Sequence, residues 1–372
     1  MKTKQFISAV LAFAMVFGVG TIFPKQAGFQ QAELTASAEE TGTYGDFTYT
    51  KYDTHIEITG CDKNAETVEI PSEIDGLPVT TIGGETFSEC TSLTSVTIPN
   101  SVTTIKSDAF EECTSLTAID ISEQNPKYTS VDGIVYNKNI TKLLRCPVGK
   151  TSVTIPDSVT TIEEDAFYYC TSLTSVTIPD SVTTIEEGAF YYCTSLTSVT
   201  IPDSVTAIGV CAFGKCTNLT SVTISNNVTT VAEWTFSGCT SLPSVTIPDS
   251  VTTISYGTFE ECTHLTSVSI PESVTTIEKN AFSKCTSLTD VYYSGTEEQW
   301  NKIDSNNALK ETTTIHYNST APETLEISVL SLIELNQKLK TQKGAPKKFD
   351  LNGDNVVNVI DLALLKQKLL NQ

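Results

Sequence analysis

The sequence predicts a β-rich α/β solenoid with a parallel sheet along one face, followed by a small all-α module. Three observations predict it. A 23-residue unit recurs through most of the chain, each unit carries one short β-branched segment closed by proline, and the composition changes abruptly after Asn318.

The repeat is anchored by Phe-x-x-Cys, found at Phe87/Cys90, Phe110/Cys113, Phe167/Cys170, Phe190/Cys193, Phe213/Cys216, Phe236/Cys239, Phe259/Cys262 and Phe282/Cys285. Successive cysteines lie 23 residues apart except for a gap of 57 between Cys113 and Cys170, which is one repeat plus 34 residues. One unit runs from Val182 to Ser204, with Val182, Ile185, Ala189, Phe190, Cys193, Leu196, Val199 and Ile201 as its apolar positions. Val199-Thr-Ile201 alternates apolar with polar and is β-branched, so it reads as a strand. Pro202-Asp-Ser ends it, because proline cannot donate to a ladder and the triplet favours turns. Val182-Thr-Thr-Ile185 is a second apolar pair across the coil, and the stretch around Ala189-Phe190 is expected to make a helical or tight turn. A single coil of this length cannot bury its own face, whereas stacking puts equivalent side chains on one another in a continuous core.

Such a stack needs closed ends. Residues 39–82 read as an irregular N-terminal cap with strands at Phe47-Thr-Tyr-Thr and Ile56-Glu-Ile58, and the repeats with their C-terminal cap extend over 83–317. At the far end Asp290-Val-Tyr-Tyr-Ser-Gly-Thr-Glu-Glu-Gln-Trp300 breaks the period and Thr314-Ile-His-Tyr317 reads as a closing strand. The extra residues, about 122–150, are expected to form a hairpin bulging from the rod, its strands Val131–Tyr136 and Ile140–Leu144 joined through Asn137-Lys-Asn139.

Residues 1–38 differ from the rest: Lys2 and Lys4 precede an apolar run from Phe6 to Phe23, then Ala36-Ser-Ala38, the pattern of a cleaved secretory signal. The expected product is exported, extracellular or at the cell surface, with no membrane span in the mature chain. With 44 Asp and Glu against 23 Lys and Arg, a net charge of −21, nucleic acid is a poor partner because phosphate would repel the chain.

Leu196-x-x-Val199-x-Ile201 matches the core of a leucine-rich repeat. With Val-Thr-x-Ile, Ala-Phe and Cys-Thr-Ser-Leu-Thr-Ser-Val-Thr-Ile-Pro around it, the region 60–317 resembles the BspA-like leucine-rich repeats of bacterial surface proteins. That resemblance implies an exported adhesion or interaction protein whose ligand, a protein or glycan, the fold does not fix.

Eight of the eleven cysteines share one coil position; the others are Cys61, Cys146 and Cys211. A stacked ladder of buried thiols is the reading preferred, with disulfides as the alternative that export permits. Along the strands, Thr97, Asp120, Thr154, Thr177, Thr200, Thr223, Thr246 and Ser269 should point outward as a nearly uncharged hydroxyl row. The row is either a flat binding face or plain strand propensity and solubility. Tyr168, Tyr169, Tyr191 and Tyr192, beside the cysteine turn, are a second candidate surface or ordinary coil-edge packing.

After a linker at 318–324, residues 325–372 carry two amphipathic segments related by an offset of 30. Ahead of the second stand Asp350, Asn352, Asp354, Val356, Asn358 and Asp361, at positions 1, 3, 5, 7, 9 and 12 of a loop, Val356 acting through its carbonyl. Hard oxygen donors at that spacing suit one calcium ion. Two positions depart from the general pattern: Asn355 stands at position 6, where Asn tolerates a left-handed backbone, and Asp361 rather than Glu at 12. The duplicated tail resembles a type I dockerin, in which Asp at the twelfth position is usual. The resemblance implies calcium-dependent docking onto a cohesin domain of a cellulosome-type scaffold, with recognition positions carried over onto Val359, Ile360, Lys366 and Gln367. The first copy offers only Thr320, Pro322, Thr324, Ser328 and Ser331 at the ligand positions, without a carboxylate, so one calcium site is expected.

Paired carboxylates such as Glu111/Glu112 and Glu163/Glu164 repeat with the coil period, which a solvated turn explains better than acid–base chemistry. No nucleophile elbow or metal-binding His pair is present. The sequence therefore points to a non-catalytic binding protein. A free-standing adhesin with a relic tail, a carbohydrate-active enzyme and a structural spacer are the alternatives.

Overall fold

The computed structural model describes residues 40–319 except 304, 306 and 307. Three antiparallel strands open this region: Glu40–Tyr44, Phe47–Lys51 and Ile56–Cys61. Gly45, at φ +56°, makes the first turn, and Phe47, Tyr49, Ile56 and Ile58 form the buried face. Ile56–Cys61 then pairs in parallel with Leu77–Ile82, which pairs in parallel with Thr104–Ile105.

From there each coil repeats two strands. The first is the Ser-Val-Thr segment, as in Ser198–Thr200; the second is the Thr-Ile pair, as in Thr184–Ile185. Both rows are parallel and in register at the repeat length: Val153 pairs with Val176, Val199 with Val222, Ile162 with Ile185 and Ile185 with Ile208. The sequence led us to expect one parallel sheet on one face, and the structure has two strand rows. The second forms because Thr-Ile is β-branched and a two-residue strand suffices when a neighbour lies on each side.

The third side of the coil is a run of tight turns. Cys193 N–H donates to the Phe190 carbonyl at 3.2 Å, while Phe190 N–H donates onward to Ala212 in the next coil at 2.7 Å. Of the helical or tight turn expected around Ala189-Phe190, the tight turn is what forms, so the solenoid lacks the α component of its expected class there; among the described residues the one helix is Glu297–Trp300, capped by Thr296 and Gln299. Stacked turns satisfy their amides between coils, so a helix is not needed to do so.

All eight apolar positions of the Val182–Ser204 unit are buried. The phenylalanines stack ring on ring, Phe167–Phe190 at 4.6 Å and Phe190–Phe213 at 5.0 Å, continuing through Phe236, Phe259 and Phe282. The cysteines are free thiols. Cys193 Sγ donates to the Phe167 carbonyl at 3.2 Å and Cys216 Sγ to that of Phe190 at 3.3 Å. Each such carbonyl accepts from its own coil's cysteine N–H and from the next coil's thiol, filling both lone pairs. That accounts for cysteine at this position: small, apolar and able to donate weakly. Burial pushes the Cys239 thiol up to about 12, so it stays protonated.

The extra residues do not bulge as one hairpin. They make three antiparallel strands, Tyr128–Val131, Ile134–Asn137 and Lys142–Arg145, and the last runs parallel with Thr161–Ile162. The run Val131–Tyr136 is cut by Asp132-Gly133, at φ +50° and +73°. Both residues sit in the left-handed region that tight hairpin turns require. Gly133 also lies against the strand Ala118–Ile121, where a Cβ would come within 2.7 Å of the Ala118 Cα. The insertion is built into the stack and divides its core. Val135 packs with the preceding coils, while Ile134 and Tyr136 pack with those that follow.

At the far end Asp290–Tyr293 still pairs in register with Ser267–Ile270, and Thr314–His316 pairs with it in turn. The period breaks only afterwards, where Trp300 closes on Tyr293 with ring centres 5.1 Å apart.

Candidate interaction surfaces

Thr97, Asp120, Thr154, Thr177, Thr200, Thr223 and Thr246 are exposed on the first strand row. Their side chains make no hydrogen bond among the described residues, unlike Thr94, Thr174, Thr197 and Thr220, each two positions before the valine of a Ser-Val-Thr segment. Of those, Thr174 donates to the Thr151 carbonyl at 2.9 Å and Thr220 to that of Thr197 at 3.1 Å. One set of hydroxyls ties coil to coil while the other faces solvent. Ser269 departs from the row: it is buried, because it is small and sits beside the larger Tyr292 in register.

Nor is the row continuous. No ladder joins Ala118–Ile121 to Ser152–Thr154; Ile119 N–H donates to Gly133 instead. Beyond Ser269 the row ends in Tyr292 stacked on His316 at 4.7 Å, with His316 Nε2 2.7 Å from Asp290 Oδ1. This stack and this hydrogen bond were not anticipated from sequence, although Tyr292 lies one repeat beyond Ser269 and that spacing announces it. The His316 and Thr289 hydrogen bonds hold the Asp290 carboxyl below the usual range.

The four tyrosines form a square. Tyr169 stacks on Tyr192 at 4.6 Å, Tyr168 on Tyr191 at 6.0 Å, and each coil's pair touches at 4.7 and 4.8 Å. All four are half-buried. Burial and then Glu111 push Tyr168 up to about 12, so this phenol stays neutral. Gly214 leaves room for the Tyr191 ring, which a Cβ there would meet at 2.8 Å.

Tyr169 and Tyr192 belong to a row held in the left-handed region, with Glu89, Glu112, Lys215, Gly238, Glu261 and Lys284 at φ between +56° and +72°. That backbone is uncommon outside glycine. At Glu89, Tyr169, Tyr192, Lys215, Gly238 and Glu261 it is held because the amide donates to the next coil, as Tyr192 does to Gly214 at 2.9 Å. At the one glycine of the row, the Lys215 chain crosses Gly238 to reach Glu261 at 2.7 Å, two coils on. Lys284 meets the same carboxylate at 2.7 Å. Together the two ammonium groups lower Glu261 to about 2.

Asp350, Asn352, Asp354, Val356, Asn358 and Asp361, and the recognition positions Val359, Ile360, Lys366 and Gln367, lie outside the described residues. Among the described residues no group of three or more His, Cys, Asp or Glu side chains is placed to hold a metal ion, and no helix is long and apolar enough to cross a membrane.

Paired parallel strand rows, a stacked phenylalanine core and buried apolar positions every coil define a leucine-rich-repeat β-solenoid. Residues 60–143, 146–232 and 210–328 match, in six copies, the BspA type leucine rich repeat region, and the chain belongs to that family. Residues 330–370 match the dockerin type I domain. Among solved structures, a leucine-rich cell surface protein of Faecalibacterium prausnitzii is similar at 28% identity and TM-score 0.31, over 73% of this chain and 99% of that one. A leucine-rich repeat protein of Eubacterium ventriosum is similar at 23% identity and TM-score 0.46, over 77% and 97%. The leucine-rich repeat protein of T. pallidum is similar at 24% identity and TM-score 0.30, over 76% and 100%. No curated protein sequence matches the chain.

Proposed function

We propose that this is an exported, non-catalytic interaction protein whose solenoid presents a binding surface and whose tail attaches it, in a calcium-dependent way, to a cohesin-bearing scaffold of the cellulosome type. The observation that carries the reading is the dockerin type I match over residues 330–370, joined to a repeat solenoid in one chain. The donor set supports calcium: Asp350, Asn352, Asp354, Asn358 and Asp361 offer only hard oxygens, and the Val356 carbonyl adds another. Calcium, when bound, supplies the charge that gathers these groups and orders the loop. Val359 and Ile360, inside the loop, and Lys366 and Gln367, after it, are then the residues offered to the cohesin.

On this reading residues 1–38 direct export, 39–82 cap the solenoid, 83–317 form it, 318–324 link it to the tail and 325–372 dock. The threonine row from Thr154 to Thr246 is proposed as the face for a protein or glycan ligand; its solvent-facing hydroxyls support this. The absence of carboxylates at Thr320, Pro322 and Thr324 favours a second reading, in which the tail no longer docks and the solenoid acts as a free-standing surface adhesin.

Binding of the mature chain to cohesin fragments, with calcium and with chelator, separates the two. Tight binding lost on chelation and in the Asp350→Ala/Asp354→Ala variant is the expected result. Equal failure of wild type and variant to bind would overturn docking and leave the adhesin reading.

A further inference from the structure

The insertion leaves a cleft beside the strand Lys142–Arg145. On the side of the second strand row, Thr104–Ile105 pairs with Leu77–Ile82 and with no later strand, while Lys142–Arg145 begins the next ladder. Between them lies a cavity of about 430 Å³, within the size range of sites that take small molecules. Its floor is apolar, formed by Ile105, Phe110, Tyr128, Val135 and Leu144.

The walls carry a charge opposite to that of the protein. Lys106, Lys127, Lys142 and Arg145 line the cavity against two carboxylates, Glu163 and Glu164, in a chain of net charge −21. Arg145 is the one arginine among all 372 residues. Two of these cations are matched: Lys142 by Glu163 at 2.6 Å and Lys106 by Glu57 at 2.8 Å. The other two are not matched by a carboxylate among the described residues. Arg145 donates to backbone carbonyls on both sides of the cleft, those of Ser107 and Asp165. Lys127 donates to the Thr103 carbonyl at 2.8 Å and lies over the Tyr128 ring, 5.2 Å from its centre. A guanidinium has five N–H donors, so Arg145 keeps capacity after bonding two carbonyls. A structural clamp explains Arg145, and carboxylates explain Lys106 and Lys142, but Lys127 is bonded to a backbone carbonyl alone and keeps its charge unmatched beside the apolar floor.

We propose that this cleft binds a small amphipathic carboxylate, an anionic head on a body one or two rings in size. The body lies on Phe110, Tyr128 and Leu144, and the carboxylate meets Lys127 and Arg145. A guanidinium can take a carboxylate in a two-pronged bond, and an aromatic floor accepts a ring face. This site is separate from the threonine row and independent of docking by the tail.

The test uses the mature full chain titrated with 4-hydroxyphenylacetate by calorimetry, and with its methyl ester as the neutral control. The acid should bind with a dissociation constant on the order of 0.1–1 mM, the ester roughly tenfold more weakly, and chelating calcium should change neither. Lys127→Gln/Lys142→Gln, two exposed positions, should weaken the acid by about tenfold while leaving the ester and the thermal midpoint unchanged. Arg145→Lys keeps the charge but removes the fork, and should weaken the acid further with the fold checked by circular dichroism. No binding of the acid at about 10 mM, equal binding of acid and ester, or full affinity in the double lysine variant would each overturn the proposal.

Discussion

The regular coils and the insertion solve the same problem differently. From Ser152 to Tyr293, paired strand residues meet their equivalents 23 positions on, Val153 with Val176 and Val268 with Val291. Equivalent side chains stack, and hydrogen bonds between the turns, such as Phe190 N–H to Ala212, tie coil to coil. At the insertion the pairing turns antiparallel, the core splits into two clusters, and the phenylalanine stack breaks between Phe110 and Phe167. Regularity closes the surface, because each coil is a template for the next. The insertion leaves a concave site with an apolar floor, and it also receives the chain's one arginine. In a repeat protein, position-specific chemistry has to come from where the repeat fails.

That contrast can be sharpened first by thiol alkylation, where the effect is nearly all-or-none. In the native chain Cys61 and Cys211, which are partly exposed, should react, while the nine buried thiols should stay unlabelled until the solenoid unfolds. Mass spectrometry before and after denaturant counts the labels. An even number of these thiols, up to eight, that fail to react even after denaturation without reductant would instead indicate disulfides.

Next comes the core. Phe213→Ala removes a ring stacked on both sides and should cost about 3–5 kcal/mol in chemical denaturation. Phe110→Ala removes a ring stacked on Phe87 alone and lining the cleft, and should cost less, about 2–3 kcal/mol. Equal losses would show that the insertion supports its neighbour as well as a regular coil does.

Gly238→Ala is a smaller change. Its φ of +72° and the Lys215 chain across it disfavour any Cβ, and about 1–2 kcal/mol of stability should be lost with the ion pair to Glu261. Smallest is the effect of acid on that network. Glu261 is held at about 2 against an ordinary 4.5. Its contribution is complete above 4.5 and is lost as the pH falls through 2. Solvent screening limits it to roughly 0.5 kcal/mol. A Glu261→Gln variant should lose that slope of stability with pH and nothing else.

Much of the coil was legible in the sequence. Val182, Phe190, Cys193 and Leu196 are buried where their spacing put them, because a stack must bury the same stripe in every unit. Asp132-Gly133 also announced a turn, which the apolar residues on both sides obscured. Other features carried no local signal. Ser269 reads like its threonine neighbours but is covered by what lies beside it, and Lys215 shows no preference in sequence for a carboxylate 46 residues away.

The sequence by itself determined the repeat length, the inward stripe, the thiol ladder and the match of the tail to a docking module, because periodic burial and motif spacing are properties of the chain. Only the tertiary structure decided that there are two strand rows, that the threonine row is interrupted after Asp120, and that the insertion opens a cationic cleft. Each of these depends on which segment lies beside which, and contact between distant segments is set by stacking, a relation that no single coil encodes.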